Sequence, residues 1–131
     1  MREHDAYDHM GNGVKRPEQI LHKAVAHFLR LSLKPPVVWS TFPAGGGGKV
    51  RGAQLKAMGL RKGMPDLLVI APGPVLVGIE LKSKAGKQTP EQFQVATDFK
   101  DCGAWLVLCR SVDEVEKALR FCKIPMTARV T

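Results

Sequence analysis

The sequence predicts one α/β domain built on a single mixed sheet with helices packed against it. Three observations lead there. Apolar residues recur at helical spacing after Pro17, after Thr89 and after Ser111. Short β-rich runs, bounded by Pro and Gly, lie between those segments. The last such run, Ala104 to Cys109, follows a helical pattern, and a strand reached through a helical crossover joins its sheet parallel to a neighbour. At 131 residues the chain has the length of one ordinary domain.

Residues 1–16 carry Gly11, Gly13 and mixed charges without a period and read as a flexible N-terminal arm. Pro17 stands in the first turn of a helix, where its missing N–H is harmless. Leu21, Val25 and Phe28 then form the stripe of a helix that runs to about Leu31. Pro35-Pro36 stops it, and Val37 to Phe42 reads as a strand. Gly45 to Gly48 make a flexible loop before a short helix from about Arg51 to Met58, closed by Gly59.

Leu67 to Ile70 and Val75 to Leu81, joined by Ala71-Pro72-Gly73-Pro74, form an antiparallel hairpin. Thr89-Pro90-Glu91-Gln92 supplies an N-cap, a proline in the first turn and a capping-box glutamine, so a helix follows to about Asp101 and buries Phe93. Gly103 ends it. Ala104 to Cys109 is wholly apolar and is expected to be a central, buried strand. Ser111-Val112-Asp113-Glu114 repeats the capping signature and begins a last helix to about Phe121. The domain spans 17–122, and 123–131 form a C-terminal tail.

Composition narrows the function. Twenty Lys and Arg face twelve Asp and Glu, a formal charge of +8 that points first to a polyanion, with nucleic acid foremost. No apolar run reaches the ~20 residues of a membrane helix, and the first residues lack a signal peptide's apolar core. Three cysteines without a C-x-x-C pair speak against a disulfide framework and a Cys-rich zinc site. A soluble protein of the cytoplasm, with no membrane partner, is expected.

The chemistry concentrates on the hairpin. Side chains alternate across a strand, so Glu80 and Lys82 share one face while Ile79 and Leu81 share the other. If Ile70 pairs with Leu76, Asp66 falls opposite Glu80 on the same face, with Cβ atoms ~5 Å apart. Like charges so placed repel, and a divalent cation removes the penalty. Two carboxylates and oxygen ligands at ~2.1 Å suit Mg²⁺. Lys82 then stands as a positive charge beside the ion and any phosphate it holds. The alternative is a solvated strand of alternating Glu and Lys with no chemistry.

Gly63-Met64-Pro65-Asp66-Leu67-Leu68-Val69, Ile79-Glu80-Leu81-Lys82 and Gly86-Lys87-Gln88-Thr89-Pro90-Glu91-Gln92 together resemble the VRR-NUC domain, the virus-type replication and repair branch of the PD-(D/E)xK nucleases. The order of elements from Pro17 to Phe121 agrees with it. The resemblance implies a restriction-endonuclease-like αβββαβ core and a Mg²⁺- or Mn²⁺-dependent DNA endonuclease. Its metal ligands would be Asp66 and Glu80, and Lys82 would assist the attacking water. It also implies stand-alone homodimers acting on branched DNA such as Holliday junctions.

Two further residues match the family. Glu18 heads the stripe of the first helix, so its carboxylate can point toward the sheet and join the metal directly or through water. Alternatively it complements the helix N-terminus, worth ~0.3–1 kcal/mol. Gln92 matches the glutamine after the E-x-K strand, and it is equally the third residue after the Thr89 cap.

Between Ala44 and Pro65 lie Lys49, Arg51, Lys56, Arg61 and Lys62 with no acidic residue, and Lys84 and Lys87 extend the set beyond Lys82. These are the expected phosphate contacts. A P-loop at Gly48-Lys49 fails, because Pro43 stands for the leading glycine and Val50 for the Mg²⁺-binding hydroxyl. His22 follows Glu18 by four and could approach the site, although a structural role is the commoner meaning of such a histidine. Trp39, Phe93 and Trp105 are expected in the core. The competing function is a non-catalytic nucleic-acid-binding module of the same fold, in replication or repair.

Overall fold

A computed structural model describes residues 17–42 and 48–127. The arm assigned to 1–16, the glycine loop up to residue 47 and the end of the tail lie outside the described residues. The elements follow in the order α1 (Pro17–Ser32), β1 (Val38–Thr41), α2 (Gly48–Ala57), β2 (Leu67–Ala71), β3 (Val75–Leu81), α3 (Pro90–Asp101), β4 (Trp105–Cys109) and α4 (Val112–Phe121). The sheet order is β1-β2-β3-β4, antiparallel except for the parallel pair β3 and β4. The mixed α/β class therefore holds.

Local chemistry explains the boundaries. Thr89 is the N-cap of α3, its hydroxyl accepting from Gln92 N at 3.1 Å while Gln92 Oε1 accepts from Thr89 N at 2.9 Å, a complete capping box. At α4 the Ser111 hydroxyl accepts from Glu114 N, but Glu114 Oε1 reaches one residue further back, to the N–H of Arg110 at 2.7 Å. The box is thus displaced by one residue, and it fixes the backbone of Arg110.

The main core lies on one face of the sheet. Leu67, Val69, Val77 and Ile79 are fully buried there, with Val25 and Leu29 of α1 and Val115 and Leu119 of α4. Beyond α4 the chain stays attached: Ile124 is buried in the same core, and Thr127 N donates to Ser32 O at 2.9 Å. The opposite face carries α3, whose one fully packed side chain is Val95.

Three expectations are corrected. β4 is an edge strand and not a central one. Its apolar run reflects cover on both faces, by α3 and α4, which makes an edge strand read like an inner one. Phe93 is 65% exposed and Trp105 43% exposed, so neither is a core residue. The capping geometry rotates α3 so that Val95 and Phe99 face the sheet, while Trp105 packs edge-on against Phe121 at 5.6 Å. Trp39 is half-buried against the core, as expected.

The contact that sets the hairpin against α3 is Pro65 over Gly78. Pro65 is fully buried, and a Cβ on Gly78 would come within 2.8 Å of its Cγ and 2.9 Å of Phe99 Cε2. Gly78→Ala is therefore expected to cost about 1–3 kcal/mol by overpacking, read as a lower urea midpoint at unchanged slope.

Candidate active site

The hairpin register is Leu67 with Ile79 and Ile70 with Leu76. Continued one residue, it sets Asp66 opposite Glu80, the arrangement expected from the sequence. Asp66 Oδ2 accepts from Leu81 N at 2.7 Å, which fixes the carboxylate across the strands. Gln92 Nε2 donates to Glu80 Oε2 at 2.9 Å, and Lys82 Nζ stands 3.7 Å from the same oxygen. Gln92 thus bonds in two directions: its Oε1 closes the helix cap while its amide NH₂ donates to Glu80.

These groups do not lie in an open cleft. Glu80 is 3% exposed and Lys82 8%: Gln92 of α3 reaches over Glu80, and the turn at Gly86 packs on Lys82. Electrostatics follow from that cover. Burial, reinforced by the neighbouring Asp66 and opposed by Lys82, pushes the Glu80 carboxyl up to about 7. Asp66 is also raised, again chiefly by burial, with the Leu81 N–H and the nearby His22 pulling the other way.

Glu18 approaches from α1. Its side chain is exposed overall, yet Oε2 accepts from Ser83 N at 3.4 Å, just beyond Lys82. The carboxylate therefore points to the sheet end that carries the site. His22 is half-buried, and its Nε2 meets Thr41 Oγ1 at 3.1 Å; the Thr41 hydroxyl donates to the backbone oxygen of Asp66 at 2.9 Å. Sequence reasoning missed Thr41. Its only signal was the antiparallel register of β1 on β2, which sets Thr41 against Leu67.

The loop before Asp66 is pressed onto the first turn of α3. Gly63 has φ +94, and a Cβ there would lie 2.5 Å from the backbone of Glu91. Arg61 binds Asp98 at 2.6 Å, and Lys62 approaches Glu91 at 3.8 Å. Those two cations tie the loop to α3. Lys49, Arg51 and Lys56 instead project from α2, which has almost no buried surface, and Lys84 and Lys87 are exposed beyond β3.

The donor set can be tested against a divalent cation. Each carboxylate commits one oxygen to the protein and leaves the other, Asp66 Oδ1 and Glu80 Oε1, without a hydrogen bond from a described residue. Among the described residues no three His, Cys, Asp or Glu side chains come close enough to hold an ion together. A pair of opposed carboxylates with free oxygens fits Mg²⁺, which keeps several waters and binds through one or two carboxylates. It does not fit zinc, which wants three or four protein ligands.

The fold has solved counterparts. A structure titled "VRR_NUC domain protein" matches with a TM-score of 0.62 at 21% identity, covering 82% of this chain and 88% of that one. Another, titled "VRR_NUC domain", matches with a TM-score of 0.54 at 23% identity, over 81% and 97% of the two chains. This chain therefore has the fold of VRR-NUC domains. No family model and no curated protein matches its sequence. Among the described residues no helix is long and apolar enough to cross a membrane.

The raised carboxyls predict a pH dependence of stability. Glu80 titrates near 4.5 when unfolded and near 7 when folded, so the folded state holds the extra proton between those values. Its contribution is complete below the lower value and is lost as pH rises through the upper one. In chelator, the melting temperature should fall by several degrees from about pH 5 to about pH 8, and Mg²⁺ should recover part of the loss. Glu80→Gln should flatten the profile.

Proposed function

We propose that this chain is a metal-dependent DNA endonuclease. The observation that carries the reading is the opposed pair Asp66 and Glu80, with Lys82 Nζ 3.7 Å from Glu80, in a chain of formal charge +8. Repelling carboxylates are kept at a sheet end beside a buried ammonium, an arrangement that costs stability and suits a cation next to a phosphate. The likeness to solved VRR_NUC structures supports it.

Asp66 and Glu80 would hold Mg²⁺ or Mn²⁺, with Glu18 joining through water. Such an ion, when bound, polarises a phosphate and lowers the pKa of a ligand water. The protein's own residues supply the rest. Gln92 fixes the Glu80 rotamer, and the Leu81 N–H fixes that of Asp66, so both acids are held before substrate arrives. Lys82, walled in beside Glu80, positions the attacking water or stabilises charge growing on the phosphoryl oxygens. Lys49, Arg51, Lys56, Lys84 and Lys87 contact the DNA backbone without reading sequence. Arg61 and Lys62 contribute less, because Asp98 and Glu91 already engage them.

The finer part of the proposal is branched DNA cut by a homodimer. One domain carries one carboxylate pair and cuts one strand per encounter, whereas a four-way junction needs two symmetric nicks. Two subunits related by a two-fold axis would supply them.

Cleavage of supercoiled plasmid and of synthetic four-way junctions tests the reading. Mg²⁺ and Mn²⁺ should support cutting, and Ca²⁺ should permit binding with little reaction. Undiminished cutting in excess chelator would sink the metal mechanism. Binding without cutting in any metal would identify the non-catalytic module instead. Because Glu80 and Lys82 are buried, shape-conserving changes are the informative ones. Glu80→Gln and Lys82→Met should each lower the single-turnover rate by roughly 10²–10³-fold, with DNA affinity nearly unchanged.

A further inference from the structure

Arg110 follows directly on β4. The parallel register pairs Leu81 with Cys109, and Lys82 N donates to Cys109 O at 3.1 Å, so Arg110 emerges beside Lys82. Its guanidinium makes no ion pair with a described residue. Nη1 donates to the backbone oxygens of Ser83, of Gly86 at 2.9 Å and of Lys84 at 3.3 Å. Among the described residues, its side-chain hydrogen bonds thus all go to one loop of four residues, itself closed by Gly86 N on Ser83 O at 3.0 Å. The displaced cap of α4 holds the Arg110 backbone in place for this reach.

That loop is the wall of the site. A Cβ on Gly86 would lie 2.9 Å from Glu18 Oε2 and 3.2 Å from Lys82 Cδ, and Ser83 N donates to the same Glu18 oxygen. Lysine has four rotatable bonds and no preferred planar geometry, so its ammonium stays near Glu80 only while something limits its rotamers. The Gly86 backbone does so on one side. The carbonyl oxygens of Ser83, Lys84 and Gly86 converge on one point, where their partial negative charges repel and a bare turn would open. A donor placed among those three carbonyls opposes that opening, and a lysine ammonium, which stands closer to its own Cα than Nη1 does, reaches them less well.

We infer that Arg110 is a positioning residue, which through the Ser83–Gly86 loop sets Lys82 and Glu18 against the carboxylate pair. The inference rests on the nuclease reading for its effect on rate, though its geometric part stands apart from that reading.

The experiment compares wild type with Arg110→Ala and Arg110→Lys. In metal-free protein, hydrogen exchange at residues 83–86 should quicken about tenfold in Arg110→Ala, with the sheet unchanged. Acylation of Lys82, mapped by mass spectrometry, should rise several-fold. Single-turnover cleavage at saturating DNA should fall roughly 10–100-fold while the Kd for DNA holds, the pattern of a misplaced group and not of lost binding. Arg110→Lys, with its shorter reach, should restore the rate only in part, and added guanidinium ion should partly rescue Arg110→Ala. Wild-type exchange at 83–86, or wild-type cleavage with a loosened loop, overturns the inference. A wild-type protein that cuts no DNA defeats the nuclease reading alone; the Lys82 acylation rate then decides, and an unchanged rate overturns the positioning role.

Discussion

The rest of the structure depends on one unfavourable contact, the two carboxylates opposed across the β2–β3 hairpin. Left to themselves, Asp66 and Glu80 would slide the strands or turn to solvent. Neither happens, because the other face of the same hairpin buries Leu67, Val69, Val77 and Ile79. Each such side chain contributes about 1.5–3 kcal/mol by burial, and a slip of one residue would turn all of them out of the core. Apolar burial on one face thus enforces charge repulsion on the other. Pro65 wedged on Gly78 adds a steric stop at the open end of the hairpin.

That logic explains which parts of the fold were legible. The hairpin, its register and the limits of α3 and α4 follow from alternation, Pro/Gly breakers and capping residues, all of them local signals. The carboxylate pair followed from the register. Burial was less legible. Glu80 and Lys82 read as a wet face, because alternating charge on a strand normally faces solvent; here Gln92 of α3 covers Glu80 and the turn at Gly86 packs on Lys82, tertiary facts that spacing does not encode. Phe93 and Trp105 failed for the reverse reason, since large aromatics in regular elements usually pack inward. Arg110 gave no signal at all. Its partners are backbone oxygens 24 to 27 residues earlier in the chain, brought near by the parallel pairing of β3 and β4.

The basic residues divide by what they touch. Arg61 and Lys62 reach across to Asp98 and Glu91, and with Gly63 they press the loop before Asp66 against the start of α3. Exposed pairs of this kind contribute little to stability individually. Their value lies in place: Glu91 and the backbone beneath Gly63 belong to the turn of α3 that carries Gln92, which holds Glu80. Lys49, Arg51 and Lys56 make no such bonds with the described residues, and the helix that bears them is exposed along nearly its whole length. A polyanion would be its natural counter-surface.

The candidate site is therefore organised from two directions. From the α3 side, Gln92 holds Glu80, and the Gly63 loop is pressed against the same turn just before Asp66. From the β4 side, Arg110 and the Ser83–Gly86 turn confine Lys82 and meet Glu18. The two sides meet at the 3.7 Å approach of Lys82 to Glu80. A fault on the first side displaces an acid, whereas a fault on the second leaves both acids in place and frees only the ammonium. The parallel β3–β4 pair makes this separation possible, because it brings the C-terminal ends of both strands, and the loops that follow them, to the same edge of the site.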